Sequence, residues 1–263
     1  MKWDAIDVAK KAKALGFDGV DFHARLLADP QSAPARVKEA IDATGLVLSG
    51  FSLSTDFNKD DSEAFKKEIE NANTWIRVAA KTGAPCSRIF GGHLSKEQRA
   101  DPEIRKQKLQ RILDALGQVV KVAEREGVIL ALENHGGLPC TGEEQVMVID
   151  AIGSRNLRAT VDVGNYLQGG QESEDGTKAA AGHCAYVHFK DFRKIPSTTN
   201  PTGFDLQGCI VGTGDVHHKQ CLEQLHRAGY SGFVALEYEG VEGEDRGVPE
   251  SAAFLQKVIA KYR

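Results

Sequence analysis

The chain has 263 residues, 41% of them hydrophobic and 27% charged, with a formal net charge of −4. That length is ordinary for one α/β barrel, and the composition provides for a large core rather than disorder. The acidic balance, with no basic block, argues against nucleic acid or an anionic membrane surface as partner. No apolar run approaches the roughly 18 residues of a membrane span.

The five cysteines form no C-x-x-C pair and read as free thiols of a reducing compartment. The opening stretch MKWDAIDVAKKAKALGF lacks the apolar core of a signal peptide. A cytoplasmic protein is expected, with a leader removed upstream of residue 1 left open.

In chain order, Ile6 to Leu15 is a helix pattern that stops at Gly16. GVDFH (19–23) follows as a strand ending in His23. Pro34 to Thr44 is a helix closed by Gly45, and LVLSGFSL (46–53) is the next strand. Ser62 opens a long amphipathic helix that ends near Gly83. CSRIFGG (86–92) is the third strand; His93 follows two glycines that let the backbone approach a ligand closely. Trp3 and Trp75 read as packing residues.

A helix from Pro102 to Gly127 leads into VILALENHGG (128–137). Five apolar residues there run into Glu133, a carboxylate that must be solvated, paired or bound. His135, two residues on, shares its side of the strand by alternation. After a helix from Glu143 to Ile152, LRATVDVGN (157–165) brings Asp162 and Asn165. Segment 168–184 has room for only a short helix. In AYVHFKDF (185–192), His188 and Lys190 point inward, and Asp191 points outward as an anchor.

Segment 193–215 is a long connection, expected to be a lid, a partner contact or a surface insertion. His217 and His218 are expected to start the helix from Lys219 to Ala228. FVALEYEG (233–240) carries Glu237, and a helix from Glu250 to Tyr262 follows.

Nearly continuous apolar strands alternating with helices mean a parallel sheet covered by helices. Seven strands are counted where a closed (β/α)8 TIM barrel needs eight. The expectation is one barrel domain over residues 1–263, with the first strand missing from the sequence. The alternative, an open seam, would expose two sheet edges to association, and a homo-oligomer is compatible with the chain.

In such a barrel the strand C-termini share one face. Four successive strands end there in a potential metal ligand: Glu133, Asp162, His188 and Glu237. Three carboxylates and an imidazole suit one divalent cation, Mn2+, Mg2+ or Co2+, with Zn2+ admissible. His23, His93, His135 and Lys190 are candidate substrate contacts around that ion.

LENHGG, VDVGN, VHFKDF, VGTGDV and ALEYEG, in this order, resemble the xylose isomerase-like TIM-barrel superfamily, and within it the sugar phosphate isomerase/epimerase group. The likeness runs from about residue 4 to the C-terminus. It implies that Glu133, Asp162, His188 and Glu237 hold one divalent metal. It also implies that Glu133 and Glu237 are the catalytic acid/base pair, on opposite faces of the substrate.

The implied activity is a metal-dependent isomerase or epimerase of a small keto-sugar or polyol derivative. The reaction is proton transfer through a cis-enediolate, beside a carbonyl that the metal polarises. A lyase or dehydratase acting on a keto-inositol or keto-glycoside shares that first step. A non-catalytic barrel subunit of an assembly is the reading from another class. Asn165 stands where epimerases and the nuclease branch often have His, which argues against a nuclease and against a standard ketose 3-epimerase pocket.

Overall fold

A computed structural model of the protein describes residues 3–200 and 202–262. Among these residues the main sheet has seven strands, all parallel and in sequence order. They are β1 (Gly19–His23), β2 (Val47–Ser52), β3 (Ser87–Phe90), β4 (Leu130–Glu133), β5 (Leu157–Asp162), β6 (Cys184–Phe189) and β7 (Val234–Leu236). This is the expected barrel, nearly closed. β1 and β7 are its two edges, and between them lies a cavity of about 860 Å³ lined by Gly19, Val20, Asp21, Val234 and Leu236 of the edge strands and by Leu15.

Local chemistry explains where the helices begin and end. Asp4 caps the helix Ala5–Ala14 in a reciprocal box with Asp7. The side chains of Asp61 and Asp101 cap Ser62–Thr82 and Pro102–Glu126. These two longest helices close at Gly83 and Gly127, which take φ values of 72° and 71° that a side chain would resist. No helix among the described residues is long and apolar enough to cross a membrane.

Alternation along the strands separates two cores. Leu130, Leu132, Val161, Val187 and Phe189 are buried in the main cluster, together with Ile112, Leu116, Val148, Leu222 and Leu255 of the surrounding helices. Cys86, Ala131 and Tyr186 form a separate cluster with Phe233 and Ala235. Register then sets which polar ends meet: Asp162 pairs with His188, and His188 with Ala235, two residues before Glu237. A slip of one residue in either pairing would turn a ligand away from its partners.

Two readings need correction. Segment 193–215 is no plain loop: Phe192–Pro196 pairs antiparallel with Phe204–Gly208 as a hairpin. The last helix begins at Glu244, with Pro249 inside it, rather than at Glu250. Proline usually marks a first turn, but here it sits a turn further in and forgoes one backbone hydrogen bond. The five cysteines are free thiols, as expected.

Asp191 is the anchor that alternation implied. Its Oδ1 accepts the N–H of Phe192 at 2.9 Å and of Val216 at 3.2 Å. Its Oδ2 accepts Gly212 at 2.8 Å and Gly214 at 2.9 Å. A side chain on Gly214 would collide with that carboxylate, which explains the glycine in VGTGDV. Removing a buried acceptor of four N–H groups should cost about 3 kcal/mol or more. Asp191→Ala is therefore expected to lower the thermal midpoint by roughly 6–12 °C; an unchanged melting curve would show the loop to be held otherwise.

Candidate metal centre

The strand ends bring Glu133, Asp162, His188 and Glu237 together, with one ligand atom of each lying within 4.8 Å of all the others. From His188 Nδ1 it is 3.6 Å to Glu133 Oε2, 3.9 Å to Asp162 Oδ2 and 3.6 Å to Glu237 Oε2. The first three residues are buried, and the Glu237 side chain is 32% exposed, so the cluster opens toward the barrel mouth on its β7 side.

The surrounding chain fixes one side of the β4 and β5 carboxylates. Asn165 Nδ2 donates to Glu133 Oε1 at 3.0 Å. Asp162 Oδ1 accepts the backbone N–H groups of Gly164 and Asn165, each at 3.0 Å. Asn134 clips β4 to β5: its Nδ2 donates to the Asp162 carbonyl at 2.9 Å, and its Oδ1 accepts the Asp162 N–H at 3.0 Å. The inward atoms are different. Glu133 Oε2, Asp162 Oδ2, His188 Nδ1 and Glu237 Oε2 are all buried and are met by ion pairs rather than by regular hydrogen bonds. Buried polar atoms almost always find partners. Four that converge with only charged neighbours, three of them carboxylate oxygens, fit a divalent cation.

The electrostatics say the same. Burial, reinforced by Glu133 and Glu237 against the pull of Lys190, pushes Asp162 up to about 8. Burial alone would depress His188, but Glu237 and Glu133 outweigh it and hold the imidazole at about 9. Carboxylates this close resist ionising together unless positive charge lies between them.

Lys190 supplies part of that charge. It is fully buried, with Nζ 2.5 Å from Glu237 Oε2 and 3.1 Å from Asp162 Oδ2, and it is hydrogen-bonded to Glu239 Oε1 at 3.1 Å. His218, at the start of its helix as expected, reaches the Lys190 carbonyl at 3.1 Å through Nε2.

The other expected site residues lie outside the four-residue cluster. His135 stacks on Phe90 with ring centroids 4.1 Å apart, and burial lowers its pKa. His93 is exposed, on a short antiparallel pair of Gly92–His93 with Gly137–Leu138. His23 is engaged locally. Its Nδ1 accepts the Arg25 N–H at 2.9 Å, capping Ala24–Leu27, and its Nε2 lies 2.8 Å from Ser54 Oγ.

Three residues escaped the sequence reading: Asn134, Gln145 and Arg88. Gln145 is buried and donates to the carbonyls of Leu132 at 2.6 Å and Thr160 at 2.8 Å, behind the ligands. Arg88 sits inside the barrel with Nε 3.2 Å from Glu133 Oε2. The signal for it was there: a charge within an apolar strand, two residues before the inward Phe90.

Burial first, then Arg88 and Arg25, holds the His23 imidazole down at about 4, from an ordinary value of 6.5. As pH falls, the unfolded chain takes up this proton before the folded one does. The contribution is complete above the unfolded value and is lost progressively between pH 6.5 and 4. With water reaching part of the ring, it is on the order of 1–2 kcal/mol. His23→Gln should flatten this acid limb, read as urea midpoints at neutral pH and near pH 5; an identical pH dependence in the variant would remove His23 as its source.

A family model described as "Xylose isomerase-like TIM barrel" matches residues 9–258. The chain belongs to the xylose isomerase-like TIM-barrel family. It is 23% identical over 252 residues to a putative hydroxypyruvate isomerase of Streptomyces coelicolor, covering 87% of this chain and 83% of that one. A second relative, an uncharacterized protein of Methanocaldococcus jannaschii, is 27% identical over 148 residues, which are 53% of this chain and 48% of the relative. The matched part thus spans about half the length of that protein.

Three solved structures share the family fold. The 3-keto-D-glucoside 4-epimerase of E. coli superposes with a TM-score of 0.77 at 17% identity, covering 97% of this chain and 94% of that one. The IOLI protein, solved with a bound zinc atom, gives 0.78 at 17%, covering 97% and 92%. A xylose isomerase-like TIM-barrel protein of Mycobacterium smegmatis, solved with magnesium, gives 0.73 at 19%, covering 99% and 90%.

Proposed function

We propose that the protein is a divalent-metal-dependent isomerase or epimerase of a small keto-sugar or polyol derivative. The observation that carries this reading is the set of four buried, converging ligand atoms at the C-terminal ends of β4 to β7. Glu133, Asp162, His188 and Glu237 would hold the cation. Relatives named as an isomerase and an epimerase, and family structures solved with zinc and with magnesium, support it; the ion is one of Mn2+, Mg2+, Co2+ and Zn2+.

When bound, the cation supplies polarisation of a substrate carbonyl, which acidifies the neighbouring C–H. The chain's own residues do the rest. Glu133 ends β4 and Glu237 directly follows β7, with two strands between them; in this reading they approach a substrate from different sides. One carboxylate takes the proton from carbon and the other returns one, to the opposite face for an epimer or to the adjacent carbon for an aldose–ketose isomer. Asn165 holds Glu133 through the oxygen that does not face the cluster. Lys190, already close to Glu237, offers its ammonium to the oxygen on which charge develops.

The test is solvent-hydrogen exchange. With Mn2+ and a panel of small ketoses in D2O, deuterium should appear by NMR at the carbon beside the carbonyl. Loss of water from the labelled substrate would reassign the reaction to a lyase. Absence of exchange with every member, at saturating Mn2+, would remove the enzyme reading and leave a binding subunit.

A further inference from the structure

The cation site leaves one buried charge without a role. Arg88, in the middle of β3, has a side chain 5% exposed. Its guanidinium carbon stands 4.3 Å from the centroid of the Phe90 ring, and the same ring stacks on His135. The head group is thus held by aromatic packing that gives it no acceptor. Nε and Nη1 are both buried without a hydrogen bond. The ion pair of Arg88 is with Glu133, through Oε2 at 3.2 Å, and that oxygen is one of the four assigned to the cation. Once Glu133 Oε2 serves the ion, the guanidinium is left with unused donors at the edge of the cluster.

A desolvated cation with free N–H groups is a poor structural element and a good receptor for an anion. Arginine suits a carboxylate in particular, because its planar donors match planar oxygens and its charge persists at every working pH. The buried carboxylates Glu133 and Asp162 are already neighboured by Arg88, Lys190 and His188. Lys190 is shared among Asp162, Glu237 and Glu239, so Arg88 is the cation at this site with donors to spare.

We propose that Arg88 is a specificity-determining residue that receives a carboxylate on the substrate, so that the preferred substrate is a small keto or hydroxy acid rather than a neutral sugar. This rests on the metal-dependent reading above and narrows its substrate class. Phe90 and His135 hold the guanidinium in place, and Glu133 and Glu237 face the neighbouring carbon.

The test compares three probes with the same hydroxyketone end: hydroxypyruvate (a carboxylate), dihydroxyacetone (neutral) and dihydroxyacetone phosphate. Binding to the Mn2+-loaded protein is read by calorimetry, with Mn2+ binding titrated separately. Wild type is expected to prefer hydroxypyruvate over dihydroxyacetone by at least about tenfold, the scale of one charge-assisted contact. Arg88→Gln should reduce that ratio to the small preference the ion alone gives, while still binding Mn2+. Arg88→Lys keeps the charge without the planar donors and should fall between; it also serves if the glutamine variant does not fold.

An unchanged ratio in a folded, Mn2+-binding variant would overturn the proposal and leave Arg88 as a holder of Glu133. Tighter, Arg88-dependent binding of dihydroxyacetone phosphate would overturn the carboxylate assignment. No Mn2+ binding by wild type would overturn the metal reading itself, and this proposal with it.

Discussion

Glu133→Gln and Glu237→Gln are each expected to lower substrate-dependent deuterium exchange by about 10²–10⁴-fold, the usual contribution of a positioned acid or base. Glutamine keeps the shape of the side chain and can still accept a hydrogen bond from Asn165 at position 133. What it loses is the proton-accepting oxygen and the charge. Both residues supply a ligand atom to the cluster, so each variant should also bind the ion more weakly.

Measuring exchange at saturating Mn2+ separates the two effects. Loss that disappears with added metal reports binding; loss that persists reports proton transfer. Asp191→Asn is the comparison, because Asp191 serves the loop containing Gly212 and Gly214 rather than the cluster; it should leave measurable turnover. Full exchange in both glutamate variants would end the assignment of an acid/base pair.

Divalent metal should stabilise the fold strongly. At a concentration a hundredfold above its dissociation constant, the ion adds about 2.7 kcal/mol, which raises the midpoint by roughly 5–11 °C for a domain of this size. The physical source is crowding. Carboxylates about 4 Å apart repel by about 4 kcal/mol at an effective dielectric of 20, and Lys190 and His188 offset only part of this. Asp162→Asn should lose most of the shift, because it removes the most deeply buried of the three carboxylates. Thermal melts with Mn2+, with chelator, and with a monovalent salt of equal ionic strength read this directly. An equal shift in wild type and Asp162→Asn would mean that the ion binds elsewhere.

Much of this site could be read from the chain because its signals are local. A strand that ends an apolar run in a carboxylate, as at Glu133, must have a use for it, and alternation alone puts His135 and Lys190 on the side of Glu133 and His188. The same rule turned Asp191 outward, where it binds four backbone N–H groups. Arg88 obeyed the rule too, but an arginine in a strand is as easily an exposed edge as a buried receptor. At His23 the rule is silent: whether an imidazole at a strand end also caps the next turn, as it does for the Arg25 N–H, or meets a partner such as Ser54, 31 positions away, is decided by folding.

By itself, then, the sequence determined the order of the barrel strands and of the main helices between them, and which residues stand at the strand ends. These depend on alternation, capping and glycine geometry, which act over a few residues. Only the tertiary structure decided that Glu133, Asp162, His188 and Glu237 share one point, that Lys190 lies among them, and that Arg88 faces Glu133 with donors to spare. Those meetings depend on the register and curvature of a parallel sheet, which join residues tens of positions apart, up to 104 between Glu133 and Glu237, and which no short window of sequence contains.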